Sequence, residues 1–166
     1  MSRLNLDNQT YFVTSVTYRR RDLFSDPEIA QVVLNQWQHY QEPYDFDLRV
    51  YVIMPDHYHV LIKIEGDKNL SQILYAVHSY SAKRINENID RKDRQRVWQR
   101  DTFDEAIRSK NMYYQKIAYI LFNPWRAGLV ESPFGDYEFS NLDELVNKKG
   151  VEFVEDLFSK YRRWAE

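Results

Sequence analysis

The chain has 166 residues and no cysteine, so we expect one domain with its own hydrophobic core and without a disulfide framework, a cysteine-ligated zinc ion or a cysteine nucleophile. Its net charge of -2 is not typical of a protein that binds DNA through overall charge, although residues 79–130 carry 11 Lys and Arg against 6 Asp and Glu. No stretch has the pattern of a signal peptide or is apolar enough to span a membrane, which predicts a cytoplasmic protein.

The first half of the chain predicts one strand, one helix and a two-stranded hairpin. In chain order these are a strand over 11–18, a helix over 27–40, and strands over 46–53 and 57–64. Asp26 followed by Pro27 is a typical helix start, and Pro43 is expected to end the helix. The turn of the hairpin is Met54-Pro55-Asp56.

The second half predicts helices separated by a charged loop and a strand region. The elements are a helix over 69–88, a strand or two short strands over 97–108, a helix over 111–122 and a tail helix over 151–164. The apolar spacing of the helix over 69–88 places Tyr80 and Arg84 on the same face as its aliphatic residues. Asn123-Pro124 is expected to end the next helix, and the tail is expected to be a loop as far as Asn141.

The resulting order, β-α-β-β-α-β-α with a tail, is that of an α+β protein with the ferredoxin-like split βαβ arrangement. Such a fold has an antiparallel sheet with helices on one face. The other face is left for a ligand or a further helix.

Two histidines form the first candidate site. His57 and His59 lie two residues apart on a predicted strand, so their side chains share one face while Tyr58 points to the other. Two imidazoles placed in this way can bind one metal ion. The alternative is that both rings merely pack or face solvent.

A tyrosine and an asparagine form the second candidate site. Tyr119 and Asn123 are four residues apart, which places them on one face of the predicted helix. A phenol can act as an oxygen nucleophile, and an amide oxygen together with two imidazoles suits a divalent ion such as Mg²⁺ or Mn²⁺. Taken alone the signal is weak, because tyrosines on helices are mostly core residues and asparagine before proline ends many helices.

Two motifs together resemble a known family. They are MPDHYHVL at residues 54–61 and YILFNPWRAGLV at residues 119–130, with VWQRDTFDEAIR at 97–108 between them. In this order they resemble the IS200-like, single-tyrosine transposases of the HUH superfamily, and most of all the branch of REP-associated tyrosine transposases. The resemblance runs from residue 11 to residue 137. We therefore assign 1–137 to the transposase domain and 138–166 to a C-terminal helical tail of the same domain.

The resemblance implies a role for each matched residue. His57 and His59 correspond to the metal-binding histidines of the family, Asn123 to its third protein ligand and Tyr119 to its nucleophile. The implied cofactor is Mg²⁺ or Mn²⁺, and the implied substrate is single-stranded or hairpin DNA of a REP-like element or a transposon end. The implied reaction cleaves and rejoins DNA through a 5′-phosphotyrosine intermediate.

Two basic stretches are predicted to contact DNA phosphates. Their members are Arg19, Arg20 and Arg21 in the first and Arg91, Lys92, Arg94 and Arg96 in the second. A charged loop in solvent is an equally good interpretation of each. The resemblance leaves both a monomer and a homodimer open. Similarity to mobile members of the family implies a dimer that exchanges the tyrosine helix, whereas similarity to the domesticated branch implies a monomer.

Two other functions compete with the transposase. A ferredoxin-like sheet that carries aromatic residues can bind single-stranded nucleic acid without cutting it. A metal-dependent hydrolase could use water as the nucleophile, in which case Tyr119→Phe would keep its activity. The full set of His57, His59, Tyr119 and Asn123 favours the tyrosine enzyme, because binding alone does not require it.

Overall fold

Four strands form a single antiparallel sheet at the centre of the protein. The computed structural model describes residues 9–87 and 90–162, apart from the side chain of Arg91. The strands are β1 (Thr10–Val16), β2 (Phe46–Ile53), β3 (His57–Ile64) and β4 (Phe103–Ala106), in the spatial order β2-β3-β1-β4. This is the order of the split βαβ arrangement, so the predicted fold is confirmed.

The helix on the first face of the sheet continues further than its proline suggested. Helix α1 (Pro27–Tyr44) begins at Asp26, whose side chain accepts a hydrogen bond from the Glu28 amide. Pro43 lies inside its last turn and does not end it, although the helix continues only one residue past the proline, to Tyr44. The helix ends at Asp45, whose φ of 50° is left-handed and whose amide reaches back to two helix carbonyls.

Helix α2 (Leu70–Ile85) packs beside α1 on the same face. Asn69 and Gln72 form a reciprocal capping box at its start. The buried residues of α2 are Ile73, Ala76, Val77 and Ser81. Tyr80 and Arg84, which were predicted on the same face, are both exposed, and Tyr80 lies against the Tyr40 ring of α1 at 5.9 Å between centroids.

The second face of the sheet carries the helix with the candidate nucleophile. Residues 97–100 contribute one isolated bridge, from Trp98 to Thr17, so only the later part of the predicted strand region forms a strand, β4. Helix α3 (Lys110–Leu121) follows and is capped by Ser109. A one-turn helix, α4 (Asn123–Arg126), comes after a break at Phe122, two residues ahead of Pro124.

The tail forms two helices that cover the second face next to α3. Helix α5 (Leu142–Lys149) lies between the predicted loop, which extends to Asn141, and the predicted tail helix, in a stretch to which the sequence assigned no element. Helix α6 (Val151–Tyr161) follows Gly150, whose φ is 90°. The tail prediction also included Trp164, which lies outside the described residues. The division of the chain at residue 137 remains a prediction.

Alternating residues of the sheet feed two hydrophobic cores. Tyr58, Val60 and Ile62 of β3 pack in the core with α1 and α2, whereas Leu61 packs in the core with α3 and the tail. Side chains at 57 and 59 therefore belong to the α3 side. Among the described residues no helix is both long and apolar enough to cross a membrane.

Candidate active site

The two histidines of β3 point towards α3 from the same face of the sheet. Their ring centroids lie 4.8 Å apart. Tyr58 between them points the other way, where its ring packs against Trp37 at 5.6 Å. The strand period alone predicts this placement.

Asp56 holds the ring of His57 from behind. The Nδ1 atom of His57 lies 2.6 Å from Oδ1 of Asp56, and the other carboxylate oxygen pairs with Arg20 at 3.6 Å. A carboxylate beside Nδ1 favours the proton on that nitrogen, which leaves the lone pair of Nε2 for a metal ion. His57 itself is only half-buried.

Thr14 holds the ring of His59, which is 4% exposed. These two residues are opposite each other in the pairing of β1 with β3, and Thr14 Oγ1 lies 2.7 Å from Nδ1. Burial first, and then the charges of His57, Arg126 and Lys116, lower the pKa of His59 to about 3, so the ring is neutral at physiological pH. Its Nε2 atom is buried without a hydrogen-bond partner among the described residues, which normally costs about 1–3 kcal/mol.

Helix α3 brings Tyr119 onto the histidines. The tyrosine ring is half-buried and lies edge-to-face with His59 at 5.1 Å and with Phe12 at 5.8 Å between ring centroids. Asn123, one turn further on, is 6% exposed. The break before Pro124 keeps it at the first position of α4.

All four candidate residues line one open cavity of about 560 Å³. Beside His57, His59, Tyr119 and Asn123, the lining consists of Phe12, Thr14, Val16, Arg20, Phe103, Lys116 and Arg126. No group of three or more His, Cys, Asp or Glu side chains suited to a metal is found in the described part of the chain. The donors at this cavity are the two imidazoles and the amide of Asn123.

Six lining residues were not predicted from the sequence, and three of them carry a charge or an exposed ring into the cavity. Arg126 lies over the Tyr119 ring, 4.6 Å from its centroid, and Lys116 forms an ion pair of 3.1 Å with Glu105. Phe103 on β4 is 57% exposed at the rim, an unusual exposure for a phenylalanine. The helical spacing of Lys116 from Tyr119 could have indicated the lysine, but the position of Phe103 depends on strand pairing.

The two predicted basic stretches lie against each other, and one of their residues reaches the cavity. Arg20 lines the cavity and is exposed, with a left-handed φ of 51°. The side chain of Arg21 is instead used within the protein, where it donates to the Gln95 side chain and to the Arg96 carbonyl. The remaining described members, Arg19, Lys92, Arg94 and Arg96, are exposed outside the cavity. The Arg91 side chain lies outside the described residues.

Comparisons with a family model and with a curated protein both find similarity to transposases. The family model described as "Transposase IS200 like" matches residues 5–120. A Haemophilus influenzae protein named "Putative REP-associated tyrosine transposase" is 29% identical over 98 residues. The match covers 54% of this chain and 56% of that protein, so the chain spans little more than half the length of this curated relative.

Two solved structures share the fold. One is a REP-associated tyrosine transposase bound to a REP hairpin, with a TM-score of 0.72 and 22% identity over 85% of this chain and 81% of the other. The second is described as "a putative transposase" from Deinococcus radiodurans R1, with a TM-score of 0.52 and 18% identity over 67% of this chain and 87% of the other. At these identities the likeness supports the fold alone.

Proposed function

This chain belongs to the IS200-like transposase family, and on that premise we propose that it cleaves and rejoins single-stranded or hairpin DNA in the cytoplasm. Tyr119 is the nucleophile, and His57, His59 and Asn123 hold a divalent ion, Mg²⁺ or Mn²⁺. One observation carries the proposal: a single cavity is lined by all four residues, although they come from three separate elements of the fold, β3, α3 and α4.

The donor set fits a metal ion. The buried Nε2 of His59 lacks a partner among the described residues. Asp56 contacts Nδ1 of His57, and Thr14 contacts Nδ1 of His59. Both imidazoles can thus present an Nε2 lone pair to the ion, and the Asn123 amide adds a hard oxygen ligand. Such an ion supplies Lewis-acid polarisation of a phosphodiester when it is bound.

The cleavage step exchanges one phosphate ester for another. The phenol oxygen of Tyr119 forms a bond to phosphorus, and the bond from phosphorus to the 3′ oxygen breaks. The leaving oxygen takes up a proton and becomes a free 3′ hydroxyl, while the phenol proton passes to water. In the joining step a 3′ hydroxyl attacks the phosphotyrosine and releases the phenol. The ester bond is conserved throughout, so no nucleotide cofactor is required.

The protein positions the nucleophile by packing. His59 and Phe12 contact the tyrosine ring edge-to-face and Arg126 covers it, which restricts the directions that the phenol oxygen can take. The cavity is open on one side, and exposed Phe103 at its rim can stack on an unpaired base next to the cut. A single strand is favoured, because its flexible backbone can enter the cleft between α3 and the sheet.

A denaturing gel tests the proposed function. The purified protein is incubated with a labelled hairpin oligonucleotide from the DNA beside its own gene, with Mg²⁺, with Mn²⁺ or with a chelator. We expect a protein–DNA adduct that resists denaturation, requires the metal and is absent with Tyr119→Phe. Tyr114→Phe, on the same helix but outside the cavity, is the matched control and should form the adduct normally.

The other outcomes separate the competing functions. Cleavage that persists in Tyr119→Phe would favour a hydrolase with water as the nucleophile. Tight binding without cleavage of any flanking hairpin would favour a nucleic-acid-binding protein without catalytic activity.

A further inference from the structure

Three cations line the cavity, and they differ in how their charge is balanced. Arg20 pairs with Asp56 at 3.6 Å, and Lys116 pairs with Glu105 at 3.1 Å. Arg126 lines the same cavity but has no ion-pair partner among the residues that the structure describes. Its guanidinium is therefore the cation at this site whose charge remains available to an incoming anion.

The break between α3 and α4 determines where Arg126 lies. The chain leaves the helical conformation at Phe122 and resumes a single turn at Asn123, and the Arg126 amide closes that turn on the Phe122 carbonyl at 3.1 Å. The guanidinium consequently covers the ring of Tyr119, 4.6 Å from its centroid. Arg126 is also among the charges that lower the pKa of His59, which places it within electrostatic reach of that histidine.

We propose that Arg126 binds the phosphate that is attacked, by donating to its non-bridging oxygens from the side of the Tyr119 ring. The inference rests on the proposed function for the identity of that phosphate. A guanidinium presents a planar fork of donors that matches two phosphate oxygens, and it keeps its charge when it is partly buried. In this position it holds phosphorus close to the phenol oxygen and balances the charge that builds up during the attack.

A purely structural role of Arg126 would not explain why it lacks a carboxylate partner among the described residues. Packing over the Tyr119 ring requires a cation or a flat group, but it does not require the absence of a carboxylate partner. The two neighbouring cations of the cavity both have such a partner. A cavity that carries three cations, one of them without a carboxylate partner among the described residues, instead attracts an anion.

Binding measurements test the proposal without the need for cleavage. The parent protein is Tyr119→Phe, which keeps the ring under Arg126, and the probe is the hairpin oligonucleotide from beside the gene. We expect Arg126→Gln to weaken its binding about 10-fold or more. The slope of log affinity against log salt should fall by about 0.7, the value for one single-strand phosphate. Arg126→Lys should restore the slope but only part of the affinity, because lysine lacks the fork.

A methylphosphonate scan locates the phosphate concerned. Replacing one phosphate at a time by a methylphosphonate removes one negative charge. At a single position in the oligonucleotide, the parent and Arg126→Gln should then bind with equal affinity. Arg162→Gln is the matched control, because Arg162 also lies over an aromatic ring, that of Phe158, but in the tail. It should leave binding unchanged. Melting curves of each variant establish that it is folded before binding is measured.

The possible results are distinct. The proposal is overturned if Arg126→Gln binds like its parent, if its loss is the same at every methylphosphonate position, or if Arg162→Gln loses as much. If the wild type forms no adduct, the proposed function fails, but the scan still decides whether Arg126 binds one particular phosphate.

Discussion

Replacing Thr14 by valine is expected to weaken metal binding at the histidine pair about 10- to 100-fold. For Nε2 of His59 to offer a lone pair, its proton must sit on Nδ1 and be donated to Thr14 Oγ1, which lies 2.7 Å away. Valine has the same shape and suits a strand equally well, so the substitution removes the acceptor and leaves no cavity. The change therefore acts on the orientation and tautomer of the ring.

The size of the effect on stability follows from burial. His59 is 4% exposed and its Nε2 already lacks a partner among the described residues. Without Thr14 Oγ1 the second ring nitrogen loses its partner as well, which costs about 1–3 kcal/mol of unfolding free energy in the absence of metal. Urea denaturation without metal measures this loss. Calorimetric titration with Mn²⁺ measures the metal affinity.

Thr10→Val is the matched control for Thr14→Val. Thr10 lies on the same strand and the same face but is opposite Lys63, not a histidine. It should leave Mn²⁺ affinity unchanged. The reasoning would be refuted if Thr14→Val bound Mn²⁺ as tightly as the wild type, or if both variants lost affinity equally.

Two further predictions concern Phe103 at the cavity rim and His78 of α2 on the other face of the sheet. Phe103→Ala should weaken binding of single-stranded DNA by about 1–3 kcal/mol, and Phe103→Trp should retain it, as fluorescence anisotropy can measure; equal losses in both variants would argue against base stacking. Burial lowers the pKa of His78 to about 4, below the value of about 6.5 in an unfolded chain, so the unfolded state binds protons first and stability falls as the pH drops from 6.5 to 4. His78→Gln can still accept a hydrogen bond from Tyr58, so its free energy of unfolding should fall less with decreasing pH, by up to about 3 kcal/mol at pH 4, as urea denaturation can measure. The same pH profile of stability in both proteins would contradict the assignment of this pH dependence to His78.

Local periodicity was sufficient wherever one element carries the feature. The strand period places His57 and His59 on one face, and the bounds of β2 and β3 agree with the alternation of their residues. Turn and cap residues such as Asp26 and Asn69 likewise mark helix starts correctly. These features depend only on backbone geometry over a few residues.

Prediction failed where the outcome depends on a neighbouring element. Helix α5 was missed because it is short and has few apolar residues, and Leu142 is buried in the core that the sheet, α3 and α6 form together. The exposure of Tyr80 and Arg84 did not follow from the helical period of α2, because both lie at its edge towards α1, where they line an open cavity with Tyr40. Pro43 lies within α1 because the helix is ended by the left-handed Asp45, whose amide reaches back to the Gln41 and Glu42 carbonyls, and not by the proline.

The sequence by itself determined the order of the four strands and of α1, α2 and α3, the family resemblance and the two pairs of candidate residues. The tertiary structure alone decided that Tyr119 reaches His59, that Thr14 contacts the same ring and that Arg126 covers the nucleophile. The physical reason is that periodicity specifies which face a side chain occupies. Distances between side chains on different elements depend on sheet pairing and on how α3 packs across the sheet.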